Sequence, residues 1–299
     1  MNWLLDVLKG AVIGIANIIP GVSGGTMMVI MGIYDKLLYC INNVFKQFGK
    51  CIRILLPYAL GIVLAIVCMS AVITGSMEKF PLPTAFAFIG LIMGGLPAIL
   101  KECKGIKPNF GHVVAFVIAA GLLVGMQFMP ASADVELKAS LGQSLIIVVM
   151  GMIASATMII PGVSGSMMLM ILGYYHPIYG SIPLLVEALL SGQWSTAGYY
   201  ATIIGPFVIG VVLGIIGISR LIDAMLTKCK GLTYAIILGL VVPSPIVILM
   251  STWKEQSLTW ASVNAGTIIA SIITVAIGVF VAAWLMPRLD ASVKKDEKE

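Results

Sequence analysis

Two short clusters of glycine and hydroxyl residues interrupt an otherwise apolar chain. The first runs from Pro20 to Thr26 as Pro-Gly-Val-Ser-Gly-Gly-Thr, and the second runs from Pro161 to Ser166 as Pro-Gly-Val-Ser-Gly-Ser. Because proline breaks a helix and glycine permits a turn, each cluster predicts a break inside an apolar segment. A helix that restarts after such a break presents free backbone N–H groups, a positive dipole end and serine hydroxyls. These groups favour an anion such as a phosphate or a carboxylate.

We therefore expect both clusters to bind the anionic part of a substrate. Asn17 precedes the first break, and we expect its amide to bind the substrate or the opposite cluster, or to satisfy a carbonyl that the break leaves free. Asp35, Arg53 and Arg220 are ionisable residues near apolar segments, and we retain them as supporting candidates. The alternative is that both clusters are tight turns between packed helices. The candidate phosphate-binding residues are Ser23, Gly24, Gly25, Thr26, Ser164, Gly165 and Ser166.

The composition excludes a soluble globular protein and indicates a membrane protein. Of the 299 residues, 60% are hydrophobic and 10% are charged, and the mean hydropathy is +1.07. Soluble proteins carry about 25% charged residues. The net charge of +5 does not indicate a nucleic-acid partner, because in a membrane protein the positions of the charges matter more than their sum. The five cysteines and two histidines show no metal-ligand spacing, so we expect no metal, cofactor or catalytic residue.

The elements that position the two clusters are apolar segments of membrane length. Crossing a hydrocarbon core of about 30 Å takes roughly 20 helical residues. Residues 9–39 and 143–175, which contain the clusters, are expected to form re-entrant hairpins that enter the bilayer and turn back. The apolar segments on either side of the second break are longer, so two full membrane crossings remain an alternative to a hairpin there. The six uninterrupted predicted spans are 53–74, 82–100, 111–130, 199–219, 231–250 and 263–286.

An internal repeat relates the two halves of the chain. A shift of 141 positions superposes 161–165 on 20–24, and a shift of 149 positions gives a weaker match further along. The halves are 1–138 and 139–299, and each is expected to contain one hairpin and three spans. The matched pairs include Tyr34 with Tyr175, Gly61 with Gly210, and Gly90 with Gly239.

The number of crossings predicts an inverted repeat. A hairpin returns to the side from which it started, so each half contributes three crossings and the second half must be inverted. With a cytoplasmic N-terminus, only Lys79, Lys138 and Lys254 of the 18 basic residues lie outside, as the positive-inside rule requires. We therefore predict an all-α membrane protein with both termini in the cytoplasm. Inverted repeats with broken helices are typical of secondary transporters.

The same motifs resemble those of the bacterial polyprenyl-phosphate transporter family. The resemblance rests on Lys9-Gly10, Gly14-x-Ala16-Asn17-x-x-Pro20 through Thr26, Gly32-Ile33-Tyr34 and the second cluster, and it covers essentially the whole chain. It implies a translocase of the bacterial plasma membrane that returns undecaprenyl phosphate from the outer to the cytoplasmic leaflet. This lipid is the carrier of cell-wall synthesis. Coupling to H⁺ or Na⁺ and assembly into a homo-oligomer stay open.

Two other functions remain as alternatives. A transporter or channel for a small soluble anion would use the same two clusters. A polyprenyl-pyrophosphate phosphatase carries a similar Pro-Gly-x-Ser-Arg-Ser run, but Gly24 and Gly165 stand at the arginine position here. No glutamate lies in either first limb. Phosphoryl chemistry would lack its acid, base and arginine clamp, so we do not expect an enzyme.

Overall fold

The computed structural model describes residues 3–19, 22–260 and 263–285, and these residues contain helices but no strand. This confirms the predicted all-α architecture. The first half contains α1 (Trp3–Ile18), α2 (Gly24–Ile30), α3 (Tyr34–Asn43), α4 (Phe48–Lys79), α5 (Pro81–Glu102) and α6 (Phe110–Met126). The second half contains α7 (Leu141–Ile159), α8 (Gly165–Ile171), α9 (Tyr175–Leu190), α10 (Trp194–Lys228), α11 (Lys230–Val241), α12 (Ser244–Glu255), α13 (Ala265–Phe280) and a π-helix (Val281–Leu285).

Local sequence signals set several helix starts. Asn109, Ser140 and Asn264 each accept a hydrogen bond from the backbone N–H three residues later, which is the usual N-cap arrangement. Pro81 begins α5, where its missing N–H costs nothing because the first helical N–H groups lack intrahelical partners. The helices α5, α6, α7 and α13 therefore begin where the sequence provides a cap or a proline.

Within the described residues, six helices are long and apolar enough to cross a membrane. One of them is the unit Lys230–Glu255, in which α11 and α12 meet at Pro243 and replace the single predicted span 231–250. Helix α6 is shorter, with 17 residues. The chain is thus a multi-pass membrane protein. The other five helices of membrane length are α4, α5, α7, α10, and α13 continued by the π-helix to Trp284.

The structure adds a second bend to each predicted hairpin. Helix α2 is followed by a bend of 115° into α3, and α8 by a bend of 112° into α9. Gly32 and Gly173 lie at these bends with φ of +65° and +76°, a backbone region that glycine adopts without strain. Helix α1 also begins at Trp3, before the predicted start at residue 9. The predicted turn at 20–21 and the end of span 263–286 lie outside the described residues.

Two matched helix pairs pack with their backbones almost in contact. Helix α1 packs on α4, and α7 packs on α10. A Cβ on Gly61 would overlap the carbonyl oxygen of Val7, and a Cβ on Gly210 would overlap that of Val148. Both glycines and both valines are matched by the sequence repeat. Such close approach of small residues is how apolar helices associate within a bilayer.

Two further pairs join the halves to each other. Helix α5 packs on α13, and α6 packs on α11. Gly90 of α5 faces Val275 and Gly94 faces Val279, so α5 and α13 run in the same direction. Gly239 of α11 lies against Phe116 of α6 in the corresponding way. Each half therefore completes its packing with a helix of the other half.

We expect Gly61→Ala to destabilise the protein, because the added methyl group meets the backbone of Val7 and neither helix can yield locally. Overpacking of this kind costs roughly 1–3 kcal/mol. Thermal unfolding of the purified protein in detergent measures the effect. Gly75→Ala is the matched control on the same helix, since a Cβ there meets open space. Equal stability of the two variants would contradict the proposed packing role of Gly61.

Candidate functional site

The two glycine clusters meet inside the bundle and hydrogen-bond to each other. The Thr26 hydroxyl oxygen accepts a hydrogen bond from the backbone N–H of Gly162 at 2.7 Å. The Ser23 hydroxyl donates to the carbonyl oxygen of Ile160 at 3.3 Å, and the Tyr34 hydroxyl donates to that of Ile159 at 3.3 Å. We call Ser23–Thr26 the first tip and Ser164–Met167 the second tip. The first tip therefore satisfies backbone groups that the second break leaves without helical partners.

The first tip is enclosed by protein. Every residue of α2 except Met28 is buried, and Thr26 is 1% exposed. A Cβ on Gly25 would lie 2.5 Å from the carbonyl oxygen of Ile159, so only glycine allows α2 to approach α7 this closely. In α8, by contrast, only Gly165 and Leu169 are buried. The two clusters thus have similar sequences but different environments, since α2 is enclosed by protein and most of α8 is not.

Asn17 connects α1 to the first tip. Its amide oxygen accepts a hydrogen bond from the backbone N–H of Gly24 at 3.1 Å, and the residue also lines a cavity. The repeat places Met158 at the matching position of the second half, so this polar contact has no counterpart there. Asn17 therefore satisfies a free N–H at the start of α2 and not the free carbonyl that one prediction named, while its contact with substrate stays a prediction.

A cavity of about 540 Å³, which we call the tip cavity, lies where the two breaks meet. Its wall combines small polar groups with methionine and tyrosine side chains. This mixture suits a ligand with a polar end and an apolar body. The lining residues are Asn17, Ile18, Ile19, Val22, Ser23, Met158, Val163, Ser164, Gly165, Ser166, Met167, Met170, Tyr175, Tyr179, Ser251 and Glu255.

The second tip supplies the accessible hydroxyl groups of the tip cavity. The Oγ atoms of Ser164 and Ser166 lie 3.0 Å apart, and Ser166 is exposed. Ser164 Oγ also accepts a hydrogen bond of 3.5 Å from the N–H of Met167. Because a hydroxyl rotates freely about its C–O bond, both serines can turn their protons toward an anion in the cavity.

The predicted site residues divide into two groups. The structure brings Asn17, Ser23, Ser164, Gly165 and Ser166 together on the tip cavity. Three other predicted ligands lie behind its wall in the first tip, so their contact with phosphate stays a prediction. These three are Gly24, Gly25 and Thr26.

The supporting candidates lie away from the tip cavity. Asp35 lines a second cavity of about 250 Å³. Arg53 of α4 and Arg220 of α10 are exposed and line neither cavity. We call the space beside Asp35 the second cavity; it is lined by Val29, Gly32, Tyr34, Asp35, Ala98, Ile99, Lys101, Glu102, Tyr234 and Ile237.

The sequence did not indicate four of the polar residues that line the tip cavity as site residues. Tyr175 and Tyr179 stack with ring centroids 4.8 Å apart, and the repeat offered a signal for Tyr175 because it matches Tyr34. Ser251 donates a hydrogen bond to the Gln127 side chain at 3.0 Å. Ser251 and Glu255 follow the predicted span 231–250, and α12 carries them to the cavity because it continues beyond that span.

The chemistry available in the tip cavity is binding by neutral donors. Among the described lining residues, Glu255 alone is charged, so an anion would be held by amide, hydroxyl and backbone N–H groups. Neutral donors enclosed by protein interact with a charged oxygen more strongly than in water. In the part of the chain that the structure describes, no group of three or more His, Cys, Asp and Glu side chains is placed to hold a metal ion.

Known proteins resemble this chain over most of its length. A family model described as undecaprenyl phosphate translocase-like matches residues 13–269. A polyprenyl-phosphate transporter of Staphylococcus aureus is 30% identical over 249 residues, which are 81% of this chain and 84% of that protein. A polyprenyl-phosphate transporter of Vibrio cholerae is 26% identical over 284 residues, which are 89% of this chain and 83% of that protein. No solved structure matches the chain significantly.

These matches confirm the resemblance indicated by the two clusters. Both relatives carry the name of a transporter, which agrees with the expectation of a transporter and not an enzyme. The family model extends over both tips and all but the first and last parts of the helical bundle. The chain belongs to the undecaprenyl phosphate translocase-like family.

Proposed function

We propose that this protein carries a polyprenyl phosphate, such as undecaprenyl phosphate, across the bacterial plasma membrane. The names of its relatives support the substrate class. The observation that carries the proposal for this chain is the convergence of both broken segments on one cavity, whose wall holds Asn17, Ser23, Ser164 and Ser166. The phosphate head binds there while the prenyl tail remains in the lipid.

The energetics explain why only the head needs a protein site. Moving one charge into a medium of low dielectric constant carries an idealised cost of order 20 kcal/mol. The prenyl tail is at home among lipid tails and carries no such cost. The apolar part of the cavity wall, including Met158, Met167 and Met170, is suited to the first isoprene units that follow the phosphate. Methionine adapts its shape to such irregular chains.

An inverted repeat would put this site between two similar halves. Helices α5 and α11 are repeat partners, since Gly90 matches Gly239. Glu102 at the end of α5 lies 3.4 Å from Lys230 at the start of α11. The two partners therefore run in opposite directions, which supports the inverted arrangement of 1–138 and 139–299. Such repeats are common in transporters whose site lies near the bilayer midplane.

The distribution of lysine and arginine supports an orientation with both termini in the cytoplasm. Glu102 and Lys230 then lie on the cytoplasmic side, while Lys79, Lys138 and Lys254 lie outside. The tip cavity contacts the end of α12 next to Lys254, so it opens toward the outer leaflet. Transport from the outer to the cytoplasmic leaflet, which returns the carrier lipid for cell-wall synthesis, begins from this side.

Ser164→Ala combined with Ser166→Ala is expected to lower the transport rate of a fluorescent short-chain polyprenyl phosphate by about tenfold or more in proteoliposomes. Hydrogen bonds to a charged group contribute about 1.5–3 kcal/mol each, and both hydroxyls are lost. Ser76→Ala is the matched control, because the Ser76 hydroxyl donates to its own helix at Val72. Adding Ser23→Ala should reduce transport further.

Unchanged transport in the serine variants would overturn the assignment of the phosphate to the tip cavity. The same vesicles distinguish the second function left open by the sequence, transport of a small soluble anion. Inorganic phosphate in excess should not slow lipid transport, because it lacks the tail that the methionine-lined wall contacts. Strong competition by inorganic phosphate, with no transport of the lipid, would favour the small anion.

Asn17→Asp is expected to abolish transport while leaving the fold intact. A carboxylate oxygen can still accept the hydrogen bond from Gly24, but the NH₂ donors are lost and a negative charge faces the phosphate. Asn17→Ala, which removes the cap of α2, should instead lower the melting temperature as well as transport. Parallel measurements of thermal unfolding and lipid transport separate the two effects. Full activity of Asn17→Asp would exclude a role for this amide in phosphate binding.

A further inference from the structure

The two cavities lie near opposite ends of one membrane-spanning unit. Tyr234 and Ile237, near the start of Lys230–Glu255, line the second cavity, whereas Ser251 and Glu255 at its end line the tip cavity. Ile237 and Ser251 are 14 positions apart, which corresponds to about 21 Å along a continuous helix, or most of a hydrocarbon core. The cavities therefore face opposite sides of the membrane.

Matched residues line the two cavities. The repeat relates three positions of the second cavity to three positions of the tip cavity, although the side chains differ at two of them. Equivalent surfaces of the two halves thus line two separate cavities. An inverted repeat would produce this arrangement if one transport pathway opened to each side of the membrane through one of the cavities. The matched pairs are Val29 with Met170, Tyr34 with Tyr175, and Glu102 with Ser251.

The contacts between the two breaks lie between the cavities. Gly162 packs against the middle of the same spanning unit, where a Cβ would lie 2.7 Å from the carbonyl oxygen of Leu240. Gly162 also donates to Thr26. The Tyr34 side chain, which lines the second cavity, donates to Ile159 across this boundary. The boundary thus includes two hydrogen bonds that link the short helices α2 and α3 to the end of α7 and the turn that follows it.

We infer that the second cavity is the cytoplasmic mouth of the pathway whose outer mouth is the tip cavity, and that the Thr26–Gly162 and Tyr34–Ile159 hydrogen bonds form the gate between them. The ligand that passes is a phosphate monoester head, so this inference rests on the proposed function. Breaking the two bonds and moving the first tip away from α7 would join the second cavity to the serines. The structure then corresponds to the outward-open state.

The lining of the second cavity suits an exit and not a tight site. Asp35 and Glu102 bring negative charge, whereas Lys101 lines the cavity and Lys230 pairs with Glu102 at 3.4 Å. A phosphate that arrives there meets both signs of charge in a cavity of about 250 Å³. Acidic groups lower its affinity and favour release, while Lys101 offers it a partner on the way out.

Cysteine accessibility tests the two mouths without any lipid. In a variant without its five native cysteines, Met170→Cys and Val29→Cys are compared, since the two positions are matched by the repeat. A membrane-impermeant maleimide is applied to right-side-out or inverted vesicles. We expect Met170→Cys to react only from outside and Val29→Cys only from the cytoplasmic side. Lys138→Cys and Lys107→Cys mark the two sides, because the topology places them outside and inside.

Two results would overturn the inference. Reaction of Val29→Cys from outside at a rate similar to that of Met170→Cys would show one continuous cavity. Failure of Val29→Cys to react from the cytoplasmic side faster than from outside would show that the second cavity is not a mouth. Farnesyl phosphate, with farnesol as control, is added in a second step. If each cysteine reacts from only its expected side and farnesyl phosphate changes neither reaction rate, the assignment of the two mouths is supported and the proposed substrate is contradicted.

Substitutions at Thr26 and Tyr34 test the proposed gate. Thr26→Val removes the acceptor for the Gly162 N–H and should raise the reaction rate of Met170→Cys from the cytoplasmic side by about fivefold, the effect of losing one hydrogen bond. Thr26→Ser keeps the hydroxyl and should leave the rate unchanged. Tyr34→Phe, which removes only one oxygen atom, provides the milder test of the second bond. Unchanged rates in both Thr26→Val and Tyr34→Phe would overturn the gate.

Discussion

The structure depends on one constraint, that no polar backbone group can remain unpaired inside a bilayer. A broken helix violates this constraint at its break, and a single broken helix in lipid would be unstable. Here two broken segments are brought together, and side chains of one pair with backbone groups of the other. Thr26, Ser23 and Tyr34 reach across from the first half to Gly162, Ile160 and Ile159 of the second. Of these three side chains, Ser23 also lines the tip cavity, so this residue both stabilises the breaks and belongs to the candidate site.

Much of this fold could be predicted from the sequence. The apolar runs predicted the long helices, because a membrane span needs roughly 20 consecutive apolar residues and such runs are rare outside membrane proteins. The repeat predicted that Gly61 and Gly210 are equivalent, and both lie at matching close contacts between backbones. The second bends at Gly32 and Gly173 were not predicted, since a single glycine within an apolar run is common in membrane helices and indicates no particular turn.

The site was predicted in part. Ser164 and Ser166 line the cavity as the motif indicated, but Thr26 points into the protein, because the choice between facing a ligand and facing the other tip depends on tertiary packing. The same limit applies to Glu255. Its position at the cavity follows from the direction of α12 after Pro243, which no local pattern in the sequence encodes. Sequence patterns identify the polar groups of such a site, whereas packing decides which of them remain accessible.

The contrast between Asn17 and Met158 has a consequence for the resting state of the molecule. If the two halves were identical, exchanging their conformations would give two states of equal free energy, each populated half of the time. Asn17 holds the first tip through Gly24, and Met158 cannot hold the second tip in the same way. In the proposed mechanism, a difference of about 1 kcal/mol of this kind would favour one state about fivefold while leaving the other within thermal reach. Departures from symmetry between the two halves would then determine which side of the membrane the resting protein faces.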